Sequence, residues 1–245
     1  MKRNRFLSKA LLVACCGALT SSPAFAVLVT WELNPSGLNQ NVGSNSLTYM
    51  QPNGSITARG YDNIQNGANG LDTLRELRYK NEPPVGGASE RGLGLVGTPS
   101  NELNINSDGT VAQYLQLDLS AILSQSFAQN FGTFTNGQIS VASMQDGEGF
   151  RLFGSNTLGA LGTQLAGTWS GLAFDNKFVT VPNFGNFQFL SIAAVSGRVL
   201  PVAFRADFTP VPEMNALFPI LGLIAAVSST QILRRRRAAR NGSQS

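Results

Sequence analysis

"AQYLQLDLS", Ala112 to Ser120, alternates strictly: Leu115, Leu117 and Leu119 fall on one side, Tyr114, Gln116 and Asp118 on the other. That is the period-two pattern of a strand with one apolar face. It puts Leu117 in a core and Gln116 on a polar face, where truncation to Ala should change little. Working outward, similar short runs recur. "VLVTWEL" (27–33), "SLTYM" (46–50), "SITARGY" (55–61), "LRELRY" (74–79), "QISVASM" (138–144) and "GFRLFGS" (149–155) read as strands, as do "TQLAGTWSG" (163–171), "FVTVP" (178–182), "FQFLSIAAV" (187–195) and "RVLPVAFRADF" (198–208). Between them stand the turn formers "NPSG", "QPNG", "NEPPVGG", "NSDG", "QDGEG" and "NFGN". About eleven short strands so spaced predict an all-β domain, an antiparallel β-sandwich or jelly roll. Helix is expected as a turn or two at Leu71–Glu76 and at Ala121–Phe131. No internal repeat is visible.

The two ends read differently. "MKRNRFLSKALLVACCGALTSSPAFA" has a basic start (Lys2, Arg3, Arg5, Lys9), an apolar stretch from Ala10 to Leu19, and Ala24-Phe25-Ala26 as an A-x-A cleavage site. This predicts a signal peptide over residues 1–26 and an exported chain. Leu12-Val13-Ala14-Cys15 has the form of a lipoprotein motif, but Lys9 leaves too short an apolar run before it. At the other end, residues 216–233 carry no charge and are followed by Arg234, Arg235, Arg236 and Arg237. As a helix the stretch reaches about 27 Å, near the thickness of a bilayer's hydrocarbon core. The arginines should stop transfer and stay on the cytoplasmic side. "RADFTPVPE" (205–213) reads as the linker to the membrane.

Residues 27–210 are long enough for one domain with a true core. The whole-chain charge of +4 comes from the ends. Between them nine basic residues face thirteen acidic ones, a balance near −4, so no nucleic-acid partner is implied. Cys15 and Cys16, the two cysteines, lie inside the signal peptide, and there is no histidine. Ser-His-Asp and Cys-His triads and His-based metal sites are excluded. A hydrolase would need carboxylates alone, or a Ser-Lys pair built on Lys80 or Lys177.

Three patterns are candidate sites. "NINSDGT" sets Asn104, Asn106 and Asp108 at alternate positions before Gly109, the spacing of oxygen ligands around Ca²⁺, with Leu115 where the bidentate acid belongs and Glu102 as its substitute. A polar hairpin turn explains the same residues. "QDGEG" brings Asp146 and Glu148 together, a carboxylate pair or simply a Gly-rich turn. Trp31, Tyr49, Tyr61, Tyr79 and Trp169 could form a sugar-stacking platform or serve as core and rim.

Val211-Pro212-Glu213, an apolar span and an arginine block together resemble the PEP-CTERM sorting signal of bacterial surface proteins; Met214 stands where the family usually has a second proline. "ERGLGLVGTPSNELNI" (90–105) and "DGEGFRLFGSNTLGALGTQL" (146–165) also look like ectodomains found with such tails. The resemblance implies processing by an exosortase-type enzyme. It implies an inner-membrane anchor over 211–240, then release to the cell surface or extracellular matrix, and association with exopolysaccharide. The expected function is a non-catalytic surface or matrix protein without a cofactor. The alternative is a carboxylate-dependent glycosidase or lyase.

Overall fold

The computed structural model describes residues 25–35, 37–63, 72–211, 222–232 and 234. Residues Phe25–Pro210 form one compact unit. Along the chain its strands are β1 (Val27–Glu32), β2 (Gln40–Asn41), β3 (Ser46–Gln51), β4 (Gly54–Asp62), β5 (Thr73–Arg75), β6 (Leu77–Val85), β7 (Ala88–Leu95) and β8 (Leu103–Asn104). They continue as β9 (Gln113–Asp118), β10 (Gly132–Ala142), β11 (Gly149–Ser155), β12 (Thr163–Gln164), β13 (Trp169–Ser170), β14 (Phe178–Thr180), β15 (Phe189–Ser196) and β16 (Arg198–Pro210).

One sheet runs β1-β16-β10-β14, with β8 added to β16; a second runs β12-β11-β15-β9-β4-β3, with β13 on β11 and β5 on β4. A three-stranded sheet, β2-β6-β7, completes the unit. All pairings are antiparallel. Trp31, Ile139 and Phe204 of the first sheet and Ile56, Leu115, Leu117 and Phe150 of the second share one buried cluster. The architecture is therefore all-β and sandwich-like. Two short helices, Ser120–Leu123 and Gln125–Asn130, follow β9, beginning one residue before the stretch where helix was expected. Ser124 caps the second by accepting a hydrogen bond from the Phe127 amide. The helix expected over Leu71–Glu76 is instead strand at Thr73–Arg75, because that segment pairs with Gly60–Asp62 of β4; Leu71 lies outside the described residues.

β9 corrects the one-faced reading of "YLQLDL". Leu115 and Leu117 do face the core, but Tyr114 and Gln116 on the opposite side are equally inaccessible. β9 lies mid-sheet between β15 and β4, and the loop after β11 folds over its outer face. Tyr61 and Tyr114 stack there at 5.1 Å beside Phe153 and Ala193. The Gln116 amide replaces solvent for that loop: Nε2 donates to the Ala160 carbonyl (2.9 Å) and Oε1 accepts from the Gly159 amide (2.9 Å). Alternation reports which residues share a face, but not whether a loop will cover the polar one.

β7 went unread because Gly92 and Gly94 interrupt its pattern. The glycines are what let it pack closely, Gly92 against β16 and Gly94 against the turn before β8. A Cβ on Gly94 would sit 1.8 Å from the Asn101 carbonyl oxygen, and one on Gly92 2.7 Å from that of Pro201.

Beyond the compact unit, residues 222–232 are helical and exposed, within the stretch expected to cross a membrane; 216–221 lie outside the described residues. Among the described residues no helix is long and apolar enough to cross a membrane.

Leu117→Ala should cost about 2–5 kcal/mol by opening a core cavity. Gln116→Ala should also lower the melting temperature, by an amount corresponding to about 1–3 kcal/mol, because it orphans the Gly159 amide and Ala160 carbonyl. Thermal unfolding of the two variants beside the parent chain checks both.

Candidate functional site

The most unusual chemistry lies under the β6–β7 hairpin. Lys80, on β6, is 2% exposed. A buried ammonium must be paired, and three elements supply partners. Nζ donates to Glu90 Oε2 on β7 at 2.7 Å and to Glu102 Oε1 just before β8. Glu82, on the rim, adds an oxygen at 3.5 Å. Ser143, directly after β10, lies 3.1 Å from Glu90 Oε1 and 2.9 Å from Glu102 Oε2. Its φ of 61° is a left-handed conformation uncommon for serine. The Ser143 amide donates to the Ser89 carbonyl, which fixes this turn against β7.

Proton counting constrains the cluster. The Ser143 hydroxyl has one proton, so it either shares that proton between the two carboxyls or accepts a second hydrogen bond from one that is protonated. Electrostatics points to Glu102. Burial drives its carboxyl above the ordinary range, and the neighbouring Glu90 charge adds to this against the pull of Lys80. For Lys80 burial alone would lower the value. Hydrogen bonds and charge from Glu102 and Glu90 more than offset that and hold the ammonium above its usual pKa. Lys80 and a serine thus share a cluster, but the Ser143 hydroxyl is directed at the two carboxyls, and the ammonium at Glu90 and Glu102. Lys177 is exposed in a turn.

The candidate Ca²⁺ ligands do not converge. Glu102 is 3% exposed and turned to Lys80 and Ser143. Asn104 Oδ1 is buried without a hydrogen-bond partner. Asn106 Nδ2 donates to Thr110 Oγ1 (3.0 Å), and Asp108 Oδ1 accepts from the Thr110 amide (2.9 Å) and hydroxyl (2.6 Å). These last bonds close an exposed turn and hold the Asp108 carboxyl below its usual range. Among the described residues no three His, Cys, Asp or Glu side chains are grouped to hold a metal. The Asp146–Glu148 turn is similar. Asp146 is exposed, whereas Glu148 accepts from the amides of Gln145 (2.9 Å) and Arg198 (3.2 Å) and so braces its own loop.

The aromatic residues divide. Trp31 is fully buried against Phe134 and Phe204, Tyr61 stacks on Tyr114, and half-exposed Trp169 stacks on Phe150 at 5.1 Å. Trp31, Tyr49 and Tyr79 do line one groove, about 320 Å³, at the side of the sandwich where β1 and β3 are the edge strands. Side chains stitch this side shut: Gln51 Nε2 donates to the Thr30 carbonyl (2.8 Å) and the Tyr49 hydroxyl to the Leu33 carbonyl (2.8 Å). They blunt two edges that would otherwise offer free backbone. Tyr79 is the half-exposed aromatic there, with Glu32, Thr48 and Gln51 as polar neighbours. A second, more apolar groove of about 430 Å³, lined by Phe127, Phe131 and Phe208, adjoins it through Met50 and Gln51. Neither groove includes a residue of the Lys80 cluster.

Of the residues assigned to sorting and processing, Ala26 and Val211 are exposed and Arg234 is an exposed helical residue. Ala24, Pro212, Glu213 and Arg235–Arg237 lie outside the described residues. The Glu90–Lys80–Glu102 cluster was missed as a unit. Its members lie on three separate segments, and each stands among polar neighbours that made it look like an ordinary solvated charge.

Lys80→Met should be strongly destabilising, by about 3–5 kcal/mol, since it leaves two buried carboxyls without their cation. The double change Lys80→Met with Glu102→Gln should recover part of that loss, measured by urea unfolding. No protein-family model, no curated protein and no solved structure matches the chain.

Proposed function

We propose that this is an exported surface or extracellular-matrix protein whose sandwich-like domain binds or scaffolds polysaccharide without catalysing a reaction, and whose tail is a transient membrane anchor of the PEP-CTERM type. The observation that carries the reading is the order of parts. The compact unit ends at Pro210, Val211 is exposed, and the Pro-Glu pair, uncharged span and arginine block follow at once. A sequence in which Pro212 restricts the backbone, placed next after the folded unit, suits an exosortase-type processing enzyme. The arginines retain the chain because moving guanidinium groups into hydrocarbon costs roughly 2.5–3.5 kcal/mol each even on the lenient scale.

The non-catalytic reading is supported by how the chemical groups are used. Glu90, Glu102 and Ser143 are turned inward to Lys80 or one another, and Glu148 braces a loop. For a glycan the β1–β3 groove offers Tyr79 as a stacking face beside hydroxyl, amide and carboxylate groups.

Mass spectrometry of the protein released to the cell surface should give a chain ending near Pro212–Glu213. Glu213→Ala should leave a full-length, membrane-held form, and Ser in place of Arg234–Arg237 should impair retention. A surface species that still carries residues 216–233 would make the tail a permanent anchor. Separately, Tyr79→Ala should weaken binding to the producing cell's exopolysaccharide roughly tenfold, about 1.4 kcal/mol, in a sedimentation assay. Unchanged binding would remove the groove from the reading.

A further inference from the structure

The Lys80 cluster contains the parts of a condensation reaction as well as those of an ion pair. An amine touches a carboxyl that could acylate it, Glu102. A second carboxyl, Glu90, lies 2.7 Å from the same nitrogen and can carry protons. Ser143 holds both carboxyls from the far side. Lys80, Glu90 and Glu102 side chains are each 3% exposed, so bulk water is kept from the reacting atoms. Groups held this way react as if at very high concentration. An amide would also replace charges that are costly to keep in a dry interior.

We propose that Lys80 and Glu102 condense within the folded domain into an Nζ–Cδ amide cross-link, with Glu90 as the catalytic proton carrier. The ammonium of Lys80 gives one proton to the Glu90 carboxylate. The freed amine attacks Cδ of protonated Glu102, forming the C–N bond. Glu90 returns its proton to the departing hydroxyl and takes one from the nitrogen as the C–OH bond breaks. One water leaves, Glu90 ends protonated, and no charge remains among the three residues. The link closes the chain from β6 to the residue before β8 around the whole of β7. The two cysteines lie at 15 and 16, so this segment has no disulfide to do the same. Like a disulfide, such a bond restricts the unfolded chain more than the folded one.

Intact-mass measurement of the full chain, purified and denatured, tests the bond. Each protein is compared with the mass its own sequence and ends require. The wild type should be lighter by one water, and fragmentation should place the loss between Lys80 and Glu102. Lys80→Arg, which keeps the charge but not the nucleophile, and Glu90→Gln, which removes the proton carrier, should both have full mass. Wild type at full mass overturns the proposal even when a variant fails to fold, and so does a water loss that persists in Lys80→Arg.

Discussion

A lysine ammonium removed from water governs how the middle of this chain is arranged. Lys80 cannot stay buried unless anionic groups reach it, and those groups come from β7 and from the approach to β8. Once Glu90 is held there, β7 is committed to a path close to β16 and to the turn before β8, and that path is open only to a strand without side chains at Gly92 and Gly94. Asn34 reinforces the arrangement, donating through Nδ2 to the Lys80 carbonyl at 2.9 Å and reaching the Gly92 carbonyl at 3.5 Å. Charge satisfaction and close backbone approach are thus one constraint. The glycines make room for the strand that carries the acid, and the acid gives that strand a reason to be there.

The same economy appears on the outer face of β9. A glutamine and a tyrosine that look solvent-facing in the sequence instead receive a loop. The Gln116 amide presents a donor and an acceptor in the way a neighbouring strand would, and the loop satisfies its backbone on them. The eight-stranded sheet is therefore covered on both sides around its centre, which an alternating pattern in one strand cannot reveal.

Much of the fold was legible because its signals are local. Short strand-like runs marked β3, β4, β9, β11, β15 and β16, and an Asn-Gly pair at the start of β4 and Asp-Gly pairs before β9 and β11 marked turns. β7 was hidden because its reason for existing is tertiary: Gly92 and Gly94 weaken the local strand signal in order to fit β16 and the Asn101 turn. Glu102 was read with the Asn104–Asp108 turn on sequence proximity. Its carboxyl points the other way because a buried cation is a stronger partner than an exposed turn already closed by Thr110. The aromatic set was legible as chemistry but not as geometry. Trp31, Tyr49 and Tyr79 reach one groove, while Tyr61 and Trp169 stack elsewhere.

β16 also has a mechanical consequence. It runs thirteen residues, from Arg198 to Pro210, with β1 along one edge and β10 along the other. A pull on the chain beyond Pro210 therefore acts along the strand axis. The load falls on both rows of backbone hydrogen bonds together, in shear, and they cannot open one at a time as in a peeled hairpin. Val27 and Phe208 are register partners, so both ends of the compact unit emerge on the same side of the sandwich. Tension between those two ends would instead peel β1 from β16 bond by bond. The domain is consequently strong toward traction along β16 from its C-terminal end and weak toward traction between its two ends, a toughness that depends on the direction of the load.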